Sequence, residues 1–124
     1  MALAALLVAS AAGAAQRPAP VEDWRLVNWS DETVLYIDHA RLQPRDGGIR
    51  YWAKIVYLHD PAYVEIVSQV QMRCADRTYR NLSISGLYHG GVVHKETARL
   101  DWQDVKPGTN IEREMQHVCE LPAS

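Results

Sequence analysis

The residues with chemistry to offer are five histidines, two cysteines and a short run of arginines. His89 and His94 have four residues between them, across Gly90-Gly91, so a hairpin end can bring them together. A metal would want further nitrogen, sulfur or carboxylate ligands at a recognised spacing, and none accompanies them. They read as solvated turn residues, and no metal is expected. Ser83 and Ser85 stand in Leu82-Ser83-Ile84-Ser85-Gly86, which lacks the leading glycine of a nucleophile elbow, so they read as polar strand residues. Asp101 and Asp104 flank Trp102, but paired acids without an opposing group make no acid–base case. No nucleophile, base and orienting group converge, and no cofactor motif is present. The expectation is a non-enzymatic protein with no catalytic residue and no cofactor.

Arg73, Arg77 and Arg80 form a basic cluster. It has two readings. The arginines can meet an acidic or polyanionic partner, or they can pair with nearby acids such as Asp76 and cover Trp and Tyr faces. The chain has 4 Trp, 6 Tyr and no Phe. Amphipathic aromatics suit partner surfaces, yet without Phe they are also needed as core. The formal charge of 13 Lys and Arg against 15 Asp and Glu is -2, which lacks the basic excess of a duplex-DNA binder, so no nucleic-acid partner is expected.

Met1–Ala15 reads as a secretory signal: an Ala-Leu-Val run too short to span a bilayer, with small residues at Ala12 and Ala14 that suit cleavage. It departs from the usual pattern in having no Lys or Arg ahead of the apolar run. Residues 16–22 form a Pro-rich lead, and residues 23–121 are one domain with no integral membrane span. Export puts Cys74 and Cys119 in an oxidising setting, where a single pair is most simply a disulfide. Closing so long a loop contributes about 4 kcal/mol by the chain-entropy model.

These residues need elements to hold them. The 124 residues are 48% hydrophobic and 23% charged, ordinary globular values for one domain. Strand-like stretches run over Trp24–Trp29, Thr33–Asp38, Ile49–Leu58, Val64–Cys74, Arg77–Tyr88 and Val92–Thr97, with His39–Pro44 a connector that holds a single helical turn. Ile49, Tyr51, Ala53, Ile55 and Tyr57 share one face of their strand; Val64, Ile66, Val70, Met72 and Cys74 share one face of the next. The turn at Asp46-Gly47-Gly48 is of hairpin type. Thr109 three residues before Glu112 makes a capping box, followed by a helix from about Asn110 to Cys119 with Ile111, Met115, Val118 and Cys119 on one stripe. Both cysteines therefore point where helix and sheet must meet. The expected fold class is α+β: an antiparallel sheet of five to six strands, with one C-terminal helix packed on a face and tethered by a disulfide.

The order of these features resembles the surface-adhesin protein E family of bacterial exported domains. The carrying residues are Trp24 and Val27; Val34-Leu35-Tyr36-Ile37-Asp38; Asp46-Gly47-Gly48 before Trp52; Cys74 ahead of Asp76-Arg77-Thr78-Tyr79-Arg80; and Trp102, Val105, Pro107-Gly108-Thr109 and Val118-Cys119. The chain has Asp38-His39 where members often have Asp-Pro. The resemblance covers nearly the whole mature chain. It implies the same disulfide-tethered fold and, weakly, adhesion to host-matrix or envelope proteins. The functional expectation is an exported binding module in the periplasm or at the cell surface, with a protein partner, self-association as a homodimer among the options, and Arg73, Arg77 and Arg80 as candidate contacts. A periplasmic accessory or structural protein is the alternative, and a small envelope enzyme a more remote one.

Overall fold

The computed structural model describes residues 21–45 and 47–121; the stretch expected to be a signal, most of the expected lead and Asp46 lie outside the described residues. The chain runs β1 (Trp24–Trp29), β2 (Thr33–Asp38), a 3-10 turn (His39–Arg41), β3 (Gln43–Arg45), β4 (Gly48–Tyr57), β5 (Tyr63–Arg73), β6 (Thr78–Tyr88), β7 (Val93–Glu96), β8 (Arg99–Asp104) and α1 (Asn110–Cys119). The strands form one antiparallel sheet in the order β1-β2-β4-β5-β6-β7, with β3 beside β4 and β8 beside β6.

The sheet has 8 strands, not the five to six expected. The two additions are β3 and β8. β3 is three exposed residues with a central proline, so it shows no alternation. It exists because the Gly47-Gly48 turn folds it back on β4. A side chain at Gly48 would put its Cβ 2.0 Å from the Met72 carbonyl oxygen, so the close approach of this hairpin to β5 requires glycine. β8 lies on an edge, its Leu100 and both aspartates exposed, and reads as a loop by pattern. Its strand form comes from pairing with the first part of β6, while β7 pairs with the last part.

Alternation along the strands separates two faces. Leu35, Ile37, Tyr51, Ala53, Val70 and Met72 lie on one and are buried. The register places Ile37 beside Ala53, Tyr51 beside Val70 and Ile49 beside Met72, so each central strand adds a row to the same core. Full burial of such side chains contributes about 1.5–3 kcal/mol each. The register shift between Gln69 and Val70 sets Val70 against Asn81 and Gln69 against Ser83, leaving Leu82 as an extra residue in β6.

Helix α1 closes this face with Met115 and Val118, joined by Val105. Its N-terminus is the expected capping arrangement with one change. Thr109 Oγ1 accepts from the Glu112 amide at 3.3 Å, while Glu112 returns to the Gly108 amide at 3.1 Å, one residue beyond the cap. Cys74 and Cys119 are joined, with Cα atoms 5.8 Å apart, so the last helical residue is fastened to the end of the sheet.

Candidate functional site

The face opposite the helix has no second layer among the described elements. It carries Trp24 from β1, Tyr36 from β2, Trp52 and Lys54 from β4, Gln71 and Arg73 from β5, Arg80 from β6 and Trp102 from β8, and cations and rings cover one another. Lys54 Nζ lies 4.4 Å from the Trp24 ring centroid and 5.6 Å from that of Tyr36. The Arg41 guanidinium sits 5.8 Å from Trp24 and 5.0 Å from Trp52. The guanidinium carbons of Arg73 and Arg80 lie 3.7 Å and 4.6 Å from the Trp102 centroid. Such contacts place a charge over a quadrupole and shelter ring surface that would otherwise meet water.

The charges differ in how they are compensated. Arg41 is bonded to Asp38, a fully buried carboxylate, and lies 3.6 Å from Glu22. Burial alone raises the pKa of Asp38. The amides of Asp23 and Ala40 and the Arg41 guanidinium outweigh that effect and hold it below the usual carboxylate value. The Arg41 charge is thus used inside the fold. Lys54, Arg73 and Arg80 carry no ion pair among the described residues. Arg80 donates from Nε and Nη2 to Gln71 Oε1, at 3.0 and 2.8 Å, which fixes the guanidinium without neutralising it.

The three sequence-predicted arginines therefore do not form one cluster. Arg73 and Arg80 share Trp102. Arg77 sits in the β5–β6 turn in a left-handed backbone conformation (φ 56°), and its Nη2 lies 3.6 Å from Glu112 of the helix rather than on Asp76. The expected option of covering aromatic rings describes Arg73 and Arg80, and that of pairing with an acid describes Arg77. Spacing does not single out Trp102, Trp52, Lys54 or Trp24 as candidate contacts, although it puts Trp52 and Lys54 together on this side of β4. The signal available was period 2: Trp52 and Lys54 alternate with the core residues Tyr51 and Ala53.

His89 and His94 do not converge on a ligand. His89 Nε2 lies 2.9 Å from the Asp60 carbonyl oxygen, and His94 is edge-on to Tyr88 with centroids 6.0 Å apart. Among the described residues no group of three or more His, Cys, Asp or Glu could hold a metal. A different pair meets instead. His39 Nε2 lies 2.7 Å from His117 Nε2, joining the 3-10 turn to the helix across 78 residues of sequence. Ser83 is partly buried in β6, while Asp101 and Asp104 are exposed on β8, so these residues assemble no acid–base set.

On the helix side one polar group stands inside the core. Glu114 is 4% exposed and accepts a hydrogen bond from the Tyr51 hydroxyl at 2.8 Å. Burial pushes its pKa up to about 7, with the Tyr51 bond a smaller opposing effect. The Tyr51 phenol is in turn held well above its ordinary value, first by burial and then by Glu114.

No helix of the described residues is long and apolar enough to cross a membrane. No curated protein and no solved structure matched the chain significantly. A family model described as surface-adhesin protein E does match, over residues 24–120, which takes in every strand, the helix and both cysteines. The match covers most of the chain and agrees with the disulfide-tethered sheet, and on that basis the protein belongs to the surface-adhesin protein E family.

Proposed function

We propose that the protein is an exported, non-enzymatic binding module that engages a host-matrix or envelope protein through the sheet face opposite the helix. The observation that carries this reading is the set of Lys54, Arg73 and Arg80 held over Trp24, Tyr36 and Trp102, with no carboxylate partner among the described residues. Fixed cations beside amphipathic rings lose little side-chain entropy on docking and steer acidic partners toward the face. Membership of an adhesin family supports the same class of function, and the disulfide supports an oxidising destination.

The test is binding of the mature protein to a panel of matrix proteins and to envelope extract, with the Lys54→Glu/Arg73→Glu double variant alongside. Both side chains are half-buried and give up their ring contacts, so the variant should stay folded with its stability lowered by about 1–3 kcal/mol. It should lose about tenfold or more in affinity, since like charges then face the partner. Equal binding by both proteins would remove the face from consideration. Recovery from envelope extract alone, with no matrix binding, would select the periplasmic accessory reading.

A further inference from the structure

Helix α1 has 10 residues and is therefore about 15 Å long. β4, β5 and β6 have 10, 11 and 11 residues, about twice that length. The helix thus covers one end of its face. Between the first half of the helix and the sheet there is a cavity of about 180 Å³, lined among others by Ile55, Ile66, Ser68, Asn81, Ile111 and Glu114. Half of the lining residues are aliphatic, and the rest carry polar groups. The charged residue among those lining it is Glu114, whose only hydrogen-bond partner among the described residues is the Tyr51 hydroxyl. No Lys, Arg or His lines the cavity, and the other titratable groups beside Glu114 are the phenols of Tyr79, on the wall, and Tyr51.

This arrangement is unusual for a structural carboxyl. Buried acids are ordinarily paired with a cation or several donors, because burying the charge alone is costly. The chain has basic residues close by, yet Arg77 is directed to Glu112, on the solvent side of the same helix turn. Among the described residues Glu114 is left without a cation, at a cavity whose walls are aliphatic in part. We propose that this cavity binds a primary alkylammonium group, the ammonium paired with the Glu114 carboxylate and the alkyl chain laid against Ile55, Ile66 and Ile111. Ser68 and Asn81 are within the same lining and offer side-chain oxygens for the remaining N–H groups. The chemistry fits a free alkylamine and the side chain of a partner's lysine equally. Pairing with an ammonium favours the ionised carboxyl, so a Glu114 that is protonated beforehand releases its proton to solvent on binding.

The test is titration of the ¹⁵N-labelled mature protein at about pH 8 with n-butylammonium and, separately, with Nα-acetyl-lysine methylamide, followed by amide chemical shifts. n-Butanol and butyrate are the neutral and anionic controls. Saturable shifts at Asn81, Ile111 and Glu114 are expected, about tenfold weaker with n-butanol, as befits one charge-assisted bond, and absent with butyrate. Saturation by n-butylammonium alone identifies a small amine as the occupant, and saturation by the lysine compound identifies a side chain. Glu114→Gln, which keeps an acceptor for Tyr51, should abolish the preference for the amine over butanol. Ser68→Val, which narrows the cavity and leaves the carboxyl, should weaken both. No saturable shift with either amine, or the same affinity in wild type and both variants, overturns the proposal. The Lys54→Glu/Arg73→Glu variant should titrate as wild type, so the site and the opposite face fail independently.

Discussion

The two faces of the sheet are made by the same strands and solve the exposure of apolar surface differently. On one face Leu35, Ile37, Tyr51, Val70 and Met72 are sealed by a helix, and the helix's buried acid, Glu114, has no cation to pair with among the described residues. On the other face no layer is added among the described residues. Trp24, Trp52 and Trp102 are covered by the stems and heads of Lys54, Arg41, Arg73 and Arg80. The difference teaches where stability and recognition reside. The covered face is held by burial and by one covalent link, so damage there should change folding. The open face is held by many weak contacts that stay accessible, so damage there should change binding far more than folding.

The largest effect expected lies in the covalent link. The Cys74–Cys119 bond closes a separation of 45 residues, worth about 4 kcal/mol by the chain-entropy model. A domain of this size often has only about 5–15 kcal/mol of stability. Cys119→Ser, or reduction, should lower the melting temperature by many degrees and expose Ile111, Met115 and Val118 to a hydrophobic dye. The open face should keep its Trp environment longer than the helix keeps its docking. Coincident melting curves with and without reductant would break the comparison at its strongest point.

Next in size is the titration of Glu114. Its folded pKa of about 7 lies above the unfolded value of 4.5, so the folded state holds a proton that the unfolded state releases between those pH values. Stability contributed by the protonated form is present below about pH 4.5 and is lost as pH rises toward 7, after which it levels off. At 1.36 kcal/mol per unit, the loss is about 3 kcal/mol. Glu114→Gln should therefore match wild type in acid and exceed it at about pH 8 in denaturant melts. A wild-type protein whose Glu114-dependent stability rises over that window would contradict the burial argument.

Much of this fold can be read from spacing. Period 2 in β4 and β5 and the 111, 115, 118 stripe locate the core, and the phase of Cys74 and Cys119 within those patterns points both thiols at the helix–sheet junction. Glu114 was within reach of the same reasoning: it lies three residues after Ile111 and four before Val118, in the stripe, but a charged residue there reads as surface. What spacing misses is long-range. β3 and β8 exist through pairing with β4 and β6, not through their own pattern. The division of the arginines follows from the left-handed turn at Arg77 and from Trp102 arriving on β8. The open face itself was half legible. The alternation of Trp52 and Lys54 was visible, but their neighbours come from strands distant in sequence.

Smaller effects should distinguish rings on the open face from rings merely exposed. Trp102 holds two guanidinium groups, each contact worth about 0.5–1 kcal/mol at a partly exposed site. Trp102→Ala should thus cost about 1–2 kcal/mol by chemical denaturation and should also reduce binding to any partner of that face. Trp29 is 68% exposed and makes no cation–π contact among the described residues. Trp29→Ala should remain within about 0.5 kcal/mol of wild type. Equal costs for the two substitutions would show that the stacked cations contribute nothing to the face.

The smallest effect belongs to the histidines and runs opposite in sign to that of Glu114. At 2.7 Å between Nε2 atoms, His39 and His117 can share one bridging proton, one ring donating and the other accepting. A second proton at that bridge would put two donors face to face. His117 is held below its ordinary value of 6.5, first by burial, then by the charges of His39 and Arg25, with Glu120 opposing them. A base with a depressed folded pKa binds fewer protons folded than unfolded. Its contribution is therefore present above about pH 6.5 and lost as pH falls below that value. The ring is only partly buried, so solvent screens the interaction and the expected change is below about 1 kcal/mol. His39→Gln/His117→Gln should flatten the acid side of the stability profile while leaving the Glu114 decline in place. His89→Asn/His94→Asn, which alters the pair suggested by spacing alone, should leave the whole profile unchanged. A reversal of those two outcomes would mean that the hairpin histidines, and not the pair bridging turn and helix, are the ones coupled to folding.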